Sequence, residues 1–164
     1  MIDDQDRVMM RRAIALAQTK GSSPADTPIA AIIVKDGVVI GASVNATKKD
    51  HDATAHAEIV AIRAAGSQIG AADLKQSTLY TTLQPCGMCT MASIWANIGR
   101  IVYGAGREQV HELYFEDRHL STMDYIADAY KNDLILEGQC LDEECAALYY
   151  RPDDYVPDSK QANK

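Results

Sequence analysis

The order of apolar runs is what most restricts the fold of this 164-residue chain. Residues 29–34 form a nearly continuous apolar run, Asp36-Gly37 is a strong hairpin turn, and residues 38–44 are again strand-like, so two antiparallel strands come first. Helix-like and strand-like stretches then alternate. Residues 54–65 have helical composition and close at Gly66, residues 77–83 are β-rich, and Gln84-Pro85 turns the chain into a helical stretch over 86–97. A strand over 100–105, a helix over 123–130, a short strand over 134–137 and a helix over 141–150 follow. A helix over 3–20, stopped at Gly21, precedes the hairpin. An antiparallel pair followed by strands joined through helices predicts an α/β domain, a three-layer α/β/α sandwich with a mixed five-stranded sheet. Its size suits a single domain over residues 1–150. Residues 151–164, with Pro152 and Pro157 among mixed charges, form a tail that is either loose or docked over a site.

Charge narrows the function classes. The chain carries 16 Lys and Arg against 23 Asp and Glu, a net charge of −7. Between Glu108 and Asp154 thirteen acids face three bases, a local net of −10, which disfavours binding nucleic acid by phosphate neutralisation and suits a small neutral substrate. No apolar run approaches the ~20 residues of a membrane span. Met1-Ile2-Asp3-Asp4 lacks the basic and then apolar start of a secretory leader, so a soluble cytoplasmic protein is expected. In that setting four cysteines suggest metal or redox chemistry more than disulfides, above all for the close pair Cys86 and Cys89. Cys140 and Cys145 read as small buried thiols near a helix start.

The chemistry concentrates in two short clusters, His56-Ala57-Glu58 and Pro85-Cys86-Gly87-Met88-Cys89, each at a predicted strand-to-helix turn. Cys86 and Cys89 are three apart, so a helix puts both sulfurs on one face, and the exposed N–H groups of a helix start favour thiolate. Two thiolates and one imidazole make three zinc ligands and leave the fourth position open, as catalytic zinc requires. Zn²⁺ with that set is nearly neutral and lowers the pKa of a bound water, and Glu58 is the carboxylate placed to carry its proton. Residues two apart point to nearly opposite sides of a regular helix, so His56 and Glu58 converge only at an irregular first turn. Two other readings use the same residues. A structural zinc module would close its fourth position with protein, and a thiol–disulfide oxidoreductase would have no need of His56 and Glu58.

His-x-Glu, about thirty residues, then Pro-Cys-x-x-Cys is the pattern of the zinc-dependent nucleobase deaminases. On these residues the chain resembles the cytidine deaminase superfamily over roughly residues 29–117. The resemblance implies zinc held by His56, Cys86 and Cys89, with Glu58 as proton shuttle and Asn45 hydrogen-bonded to the substrate base. Within the superfamily His56-Ala57-Glu58, Ala61-Ile62-Arg63, Leu79-Tyr80-Thr81, Pro85-Cys86, Met88-Cys89, Trp95-Ala96 and Tyr103 are similar to small bacterial guanine deaminases. That similarity implies conversion of guanine to xanthine and ammonia, with Asp117 contacting the purine and assisting proton transfer and Trp95 and Phe115 as pocket walls. Ile29 departs from that group, which has a stacking aromatic there; it is similar to fungal-type cytosine deaminases, as are Leu79-Tyr80-Thr81-Thr82-Leu83 and the tail from Arg151, so cytosine or a related amino-heterocycle is the alternative. Bacterial tRNA adenosine deaminases share Thr54-Ala55-His56-Ala57-Glu58 and Ile98-Gly99-Arg100 and stand third, because the stretch of net −10 lies where they carry a basic helix. A homodimer is implied by the resemblance alone.

Overall fold

The computed structural model describes residues 1–115, 122–129 and 133–157. In chain order it contains α1 (Asp4–Gln18), β1 (Ala30–Lys35), β2 (Val38–Val44), α2 (Thr47–Asp50), α3 (Ala57–Ile69), β3 (Ser77–Leu83), α4 (Gly87–Trp95), β4 (Arg100–Ala105), α5 (Thr122–Asp128), β5 (Ile135–Glu137) and α6 (Asp142–Ala146), with short 3-10 turns at Pro24–Asp26, Arg107–Gln109 and Glu112–Tyr114. The five strands form one sheet in the order β2-β1-β3-β4-β5. β1 pairs antiparallel with both β2 and β3, whereas β3, β4 and β5 run parallel. This is the expected mixed sheet, and α4 and α5 lie on its parallel crossovers.

Period-two burial divides the core between the two faces of the sheet. Ala30, Ile32 and Val34 of β1 pack with Met9, Met10, Ala13 and Ala17 of α1 and with Cys145, Leu148 and Tyr149 near α6. Ala31 and Ile33 turn the other way and pack with Ala57, Ala61 and Ala65 of α3, Ala96 and Ile98 after α4, and Ile126 of α5. Small residues line α3 because the sheet comes close. The register slips between Ile33 and Val34, and beside that bulge a Cβ added to Gly41 would lie 2.4 Å from the Ala61 carbonyl.

The predicted boundaries over 77–83 and 100–105 coincide with β3 and β4. α3 differs at both ends. It begins at Ala57, with His56 extended before it, and runs through Gly66 to Gly70, which adopts the left-handed conformation that stops it. The last helix is shorter than expected, Asp142–Ala146.

One polar cluster crosses the buried face beneath α1. The Arg100 guanidinium donates to both Asp6 carboxylate oxygens, at 2.6 and 2.8 Å, and also reaches Glu137, while the Tyr80 hydroxyl donates to Asp6 at 2.9 Å. Cys140 and Cys145 are buried free thiols, and the Cys145 sulfur fills the space a side chain on Gly104 would need. The tail docks in part. Val156 is buried, Tyr155 is exposed, and His111 N–H donates to the Tyr150 carbonyl just ahead of it.

Candidate metal centre and active site

Two helix starts bring the site together. His56 is the N-cap residue of α3 (φ −64°, ψ 154°) and Cys86 the N-cap residue of α4 (φ −72°, ψ 173°). Because His56 is extended and Glu58 lies in the first helical turn, the regular-helix divergence of two side chains two apart does not apply. β3 ends at Leu83 and the Pro85 ring opens the turn that delivers Cys86, with Cys89 one turn later on the same face of α4.

His56 Nδ1 lies 3.6 Å from both the Cys86 and Cys89 sulfurs, and the three donor atoms are within 4.8 Å of one another. Cys89 is fully buried. Hydrogen bonding from Cys89 holds the Cys86 thiol down at about 4 against the opposing pull of burial, with His56 beside it adding to the effect. The same bond, with burial and the nearby Glu58 carboxylate, pushes Cys89 well up. Glu58 is only 4% exposed; burial first, then Cys86, pushes its carboxyl up, and the Thr81 hydroxyl lies 3.4 Å from it. Two sulfurs and a carboxylate crowded together resist carrying their charges at once unless a cation joins them. Soft thiolate and imidazole donors at this spacing fit zinc.

Backbone hydrogen bonds tie the segment at Asn45 to the residue just ahead of β1 and to the residues that lead into His56. The Asn45 N–H donates to the Ile29 carbonyl at 2.9 Å, its own carbonyl accepts from Lys20 Nζ at 2.5 Å, and the following Ala46 N–H donates to the Ala55 carbonyl at 2.9 Å, one residue before His56. Asn45 Oδ1 is buried and has no hydrogen-bond partner among the described residues. Ile29 is half-buried and packs against the clusters on both faces of the sheet.

Of the remaining expected site residues, the structure describes Trp95 and Phe115. Trp95 is the last residue of α4, about 13 Å along the helix axis from Cys86, and is 79% exposed, so within this chain it does not wall the donor cluster. Phe115 is half-buried against the α1 side of the core, with the Arg107 guanidinium over its ring at 4.9 Å. Asp117 lies outside the described residues.

Three residues at the centre were not anticipated. Thr122, at the start of α5, donates its hydroxyl to the Pro85 carbonyl at 2.9 Å; Gln84 bridges Thr122 and the Arg107 N–H; and the Tyr125 ring lies against Gly87. Gln84 stood in view beside Pro85, but nothing local marks Thr122 or Tyr125, some 37 residues along the chain.

A zinc centre at paired helix starts, beyond the end of the central strand of a mixed sheet between helical layers, defines a zinc-dependent deaminase fold. Residues 3–105 match the cytidine and deoxycytidylate deaminase zinc-binding region. The chain belongs to this family and is a deaminase of the cytidine deaminase superfamily. It is 38% identical to the guanine deaminase of Bacillus subtilis over 108 residues, 66% of this chain and 69% of that one. It is 34% identical to the tRNA-specific adenosine deaminase of Buchnera aphidicola (subsp. Schizaphis graminum) over 148 residues, 90% of this chain and 93% of that one. A further relative, the tRNA(Ile)-lysidine synthase of Deinococcus radiodurans, is 39% identical over 105 residues, and there the match spans 63% of this chain and only 18% of the relative. Among solved structures, one from work on A-to-I editing by tRNA:A34 deaminases superposes with a TM-score of 0.68 at 33% identity, covering 85% of this chain and 96% of that one. The guanine deaminase of Nitrosomonas europaea shares the fold, with a TM-score of 0.68 at 23% identity over 90% of this chain and 84% of that one. No helix among the described residues is long and apolar enough to cross a membrane.

Proposed function

We propose that the protein hydrolyses the exocyclic amine of a free nucleobase, with guanine, giving xanthine and ammonia, as the substrate. The observation that carries this reading is the Oδ1 of Asn45, buried and without a hydrogen-bond partner among the described residues, on a segment whose Ala46 N–H is bonded to the Ala55 carbonyl, one residue before His56. A buried acceptor left unsatisfied is costly unless a ligand N–H meets it, and guanine presents N–H donors at N1 and at the exocyclic amine. His56, Cys86 and Cys89 hold the zinc in this reading. A zinc ion bound there supplies the Lewis acidity that makes water a nucleophile near neutral pH. Glu58 takes a proton from the attacking water and returns protons to the ring nitrogen and the departing amine, a role suited to a carboxyl that burial holds above its ordinary value. Asn45 orients the base, Ile29 offers it an aliphatic contact, and Asp117 receives its N–H edge. The acidic balance from Glu108 to Asp154, with Asp124 and Asp128 exposed on α5 next to α4, supports a small neutral substrate over a polyanion.

A second reading, deamination of adenosine in tRNA, is favoured by one observation: the match to a tRNA-specific adenosine deaminase runs over 90% of this chain. Ammonia release by the zinc-loaded protein from guanine, cytosine and tRNA, with Glu58→Gln as control, separates these readings. Release from guanine that Glu58→Gln loses supports the first. Release from tRNA alone, falling steeply with salt, overturns it in favour of the second, and release from cytosine alone keeps the chemistry and replaces the base.

A further inference from the structure

The loop that delivers Cys86 is held from outside by α5. Pro85 has no N–H, and its carbonyl is the acceptor of the peptide that carries the Cys86 nitrogen. That carbonyl takes the Thr122 hydroxyl at 2.9 Å; the Thr122 oxygen in turn accepts from Gln84 Nε2 at 3.3 Å, and Gln84 Oε1 accepts from the Arg107 N–H at 3.2 Å. Every donor in this chain of bonds points towards Pro85. Gln84 is anchored as well through its own N–H, which donates to the Ala105 carbonyl at the end of β4 at 2.9 Å. Thr122 is only 4% exposed and Pro85 less than 2%, so water does not readily replace these bonds. One turn further along α5, the Tyr125 ring lies on Gly87, where an added Cβ would sit 2.6 Å from its hydroxyl oxygen and 2.7 to 2.9 Å from its ring carbons. Glycine between the two cysteine ligands thus leaves the room that lets α5 close on the loop.

From this geometry we infer that Thr122 and Tyr125 are positioning residues for the metal centre: α5 clamps the Pro85-Cys86-Gly87 segment and thereby sets how tightly the two thiolates hold zinc. The inference rests on the assignment of Cys86 and Cys89 as ligands. Residues that orient metal ligands without touching the metal commonly govern affinity by 10- to 100-fold, and Thr122 acts here on the ligand's own peptide.

The test is the rate at which zinc leaves the full-length protein to an excess of a colorimetric chelator. Thr122→Val keeps the shape and removes the hydroxyl; release faster by about 10-fold is expected, with Thr122→Ser restoring the original rate. Gly87→Ala, which drives the Tyr125 ring off the loop, is expected to speed release too, and provides the measurement if Thr122→Val does not fold. Val102→Ala, on the opposite face of the sheet, lowers stability generally and is expected to leave the release rate unchanged. Wild-type release rates in both Thr122→Val and Gly87→Ala, or equal acceleration by Val102→Ala, overturn the inference. A wild-type chain that retains no zinc overturns the ligand assignment itself, which separates the two failures.

Discussion

Replacing Asp6 by asparagine tests the polar cluster that fastens α1 to the sheet. Asp6 is 1% exposed, and burial alone would push its carboxyl up; the Arg100 guanidinium, the Asp3 N–H and the Tyr80 hydroxyl more than offset this and hold it at about 2, against an ordinary value of 3.8. A folded-state value below the unfolded one contributes stability that is fully present above 3.8 and is lost as the pH falls through about 2. The difference corresponds to about 2 kcal/mol near neutrality, or about 4–8 °C in Tm for a chain of this length. Asp6→Asn keeps the shape and removes the charge, leaving Arg100 with Glu137 as its remaining carboxylate. Urea unfolding of both proteins across a pH series should show the parent more stable by about 2 kcal/mol near pH 7, with the gap closing between about pH 4 and pH 2. A gap of the same size at the lowest pH would mean that the loss is one of packing, and equal stability near pH 7 would mean that the ion pair only offsets its own desolvation; either refutes the reasoning.

Gly41→Ala places a methyl group on the Ala61 carbonyl and should cost about 1–3 kcal/mol in urea unfolding, because neither the bulged strand nor α3 can yield easily. Zinc removal by chelation should lower Tm, and metal restored at a thousandfold excess over Kd should recover about 4 kcal/mol; Cys86→Ser should bind too weakly to show that recovery. In the metal-free protein a thiol reagent should modify Cys86 first, the half-buried member of the pair, whose thiol is held down at about 4. Cys140 and Cys145, whose thiols burial pushes up to about 11 and about 12, should react only on unfolding. Trp95, the sole tryptophan, should be fully accessible to an aqueous fluorescence quencher at low protein concentration, and protection that grows with concentration would report self-association through α4.

Much of the architecture was legible because it rests on short-range chemistry. The Asp36-Gly37 turn marks the hairpin, and the β-branched and aromatic residues of 77–83 and the apolar run at 100–105 mark β3 and β4 to the residue. The end of α3 was misplaced because Gly66 and Gly70 look alike in sequence; only the second takes the left-handed conformation, and only packing tells them apart. Its start was misplaced because helical composition continues back to Thr54, whereas His56 is held extended. The metal donors were readable because their spacing is a statement about one ion. The Asp6 cluster was missed although it had a signal: Asp6 stands on the same helical stripe as Met9, Met10, Ala13 and Ala17, and an acid there must find a buried partner. Trp95 followed a matching pattern, and the structure shows it exposed at the last residue of α4, a placement that similarity of sequence alone does not give. The clamp by Thr122 and Tyr125 is a contact between distant segments and left no local trace.

Both His56 and Cys86 occupy the position just ahead of a helix where a serine or aspartate would ordinarily bind the first free amides, and neither makes a side-chain capping bond. Forgoing two such caps costs about 1 kcal/mol at each helix start. Two uncapped helix starts, rather than an independent loop, therefore meet at the point where an ion ties them together. Amide exchange should show this as a local effect: the first turns of α3 and α4 open readily without metal and slow sharply when it is supplied, while the amides of β1 and β3 exchange at nearly the same rate in both states.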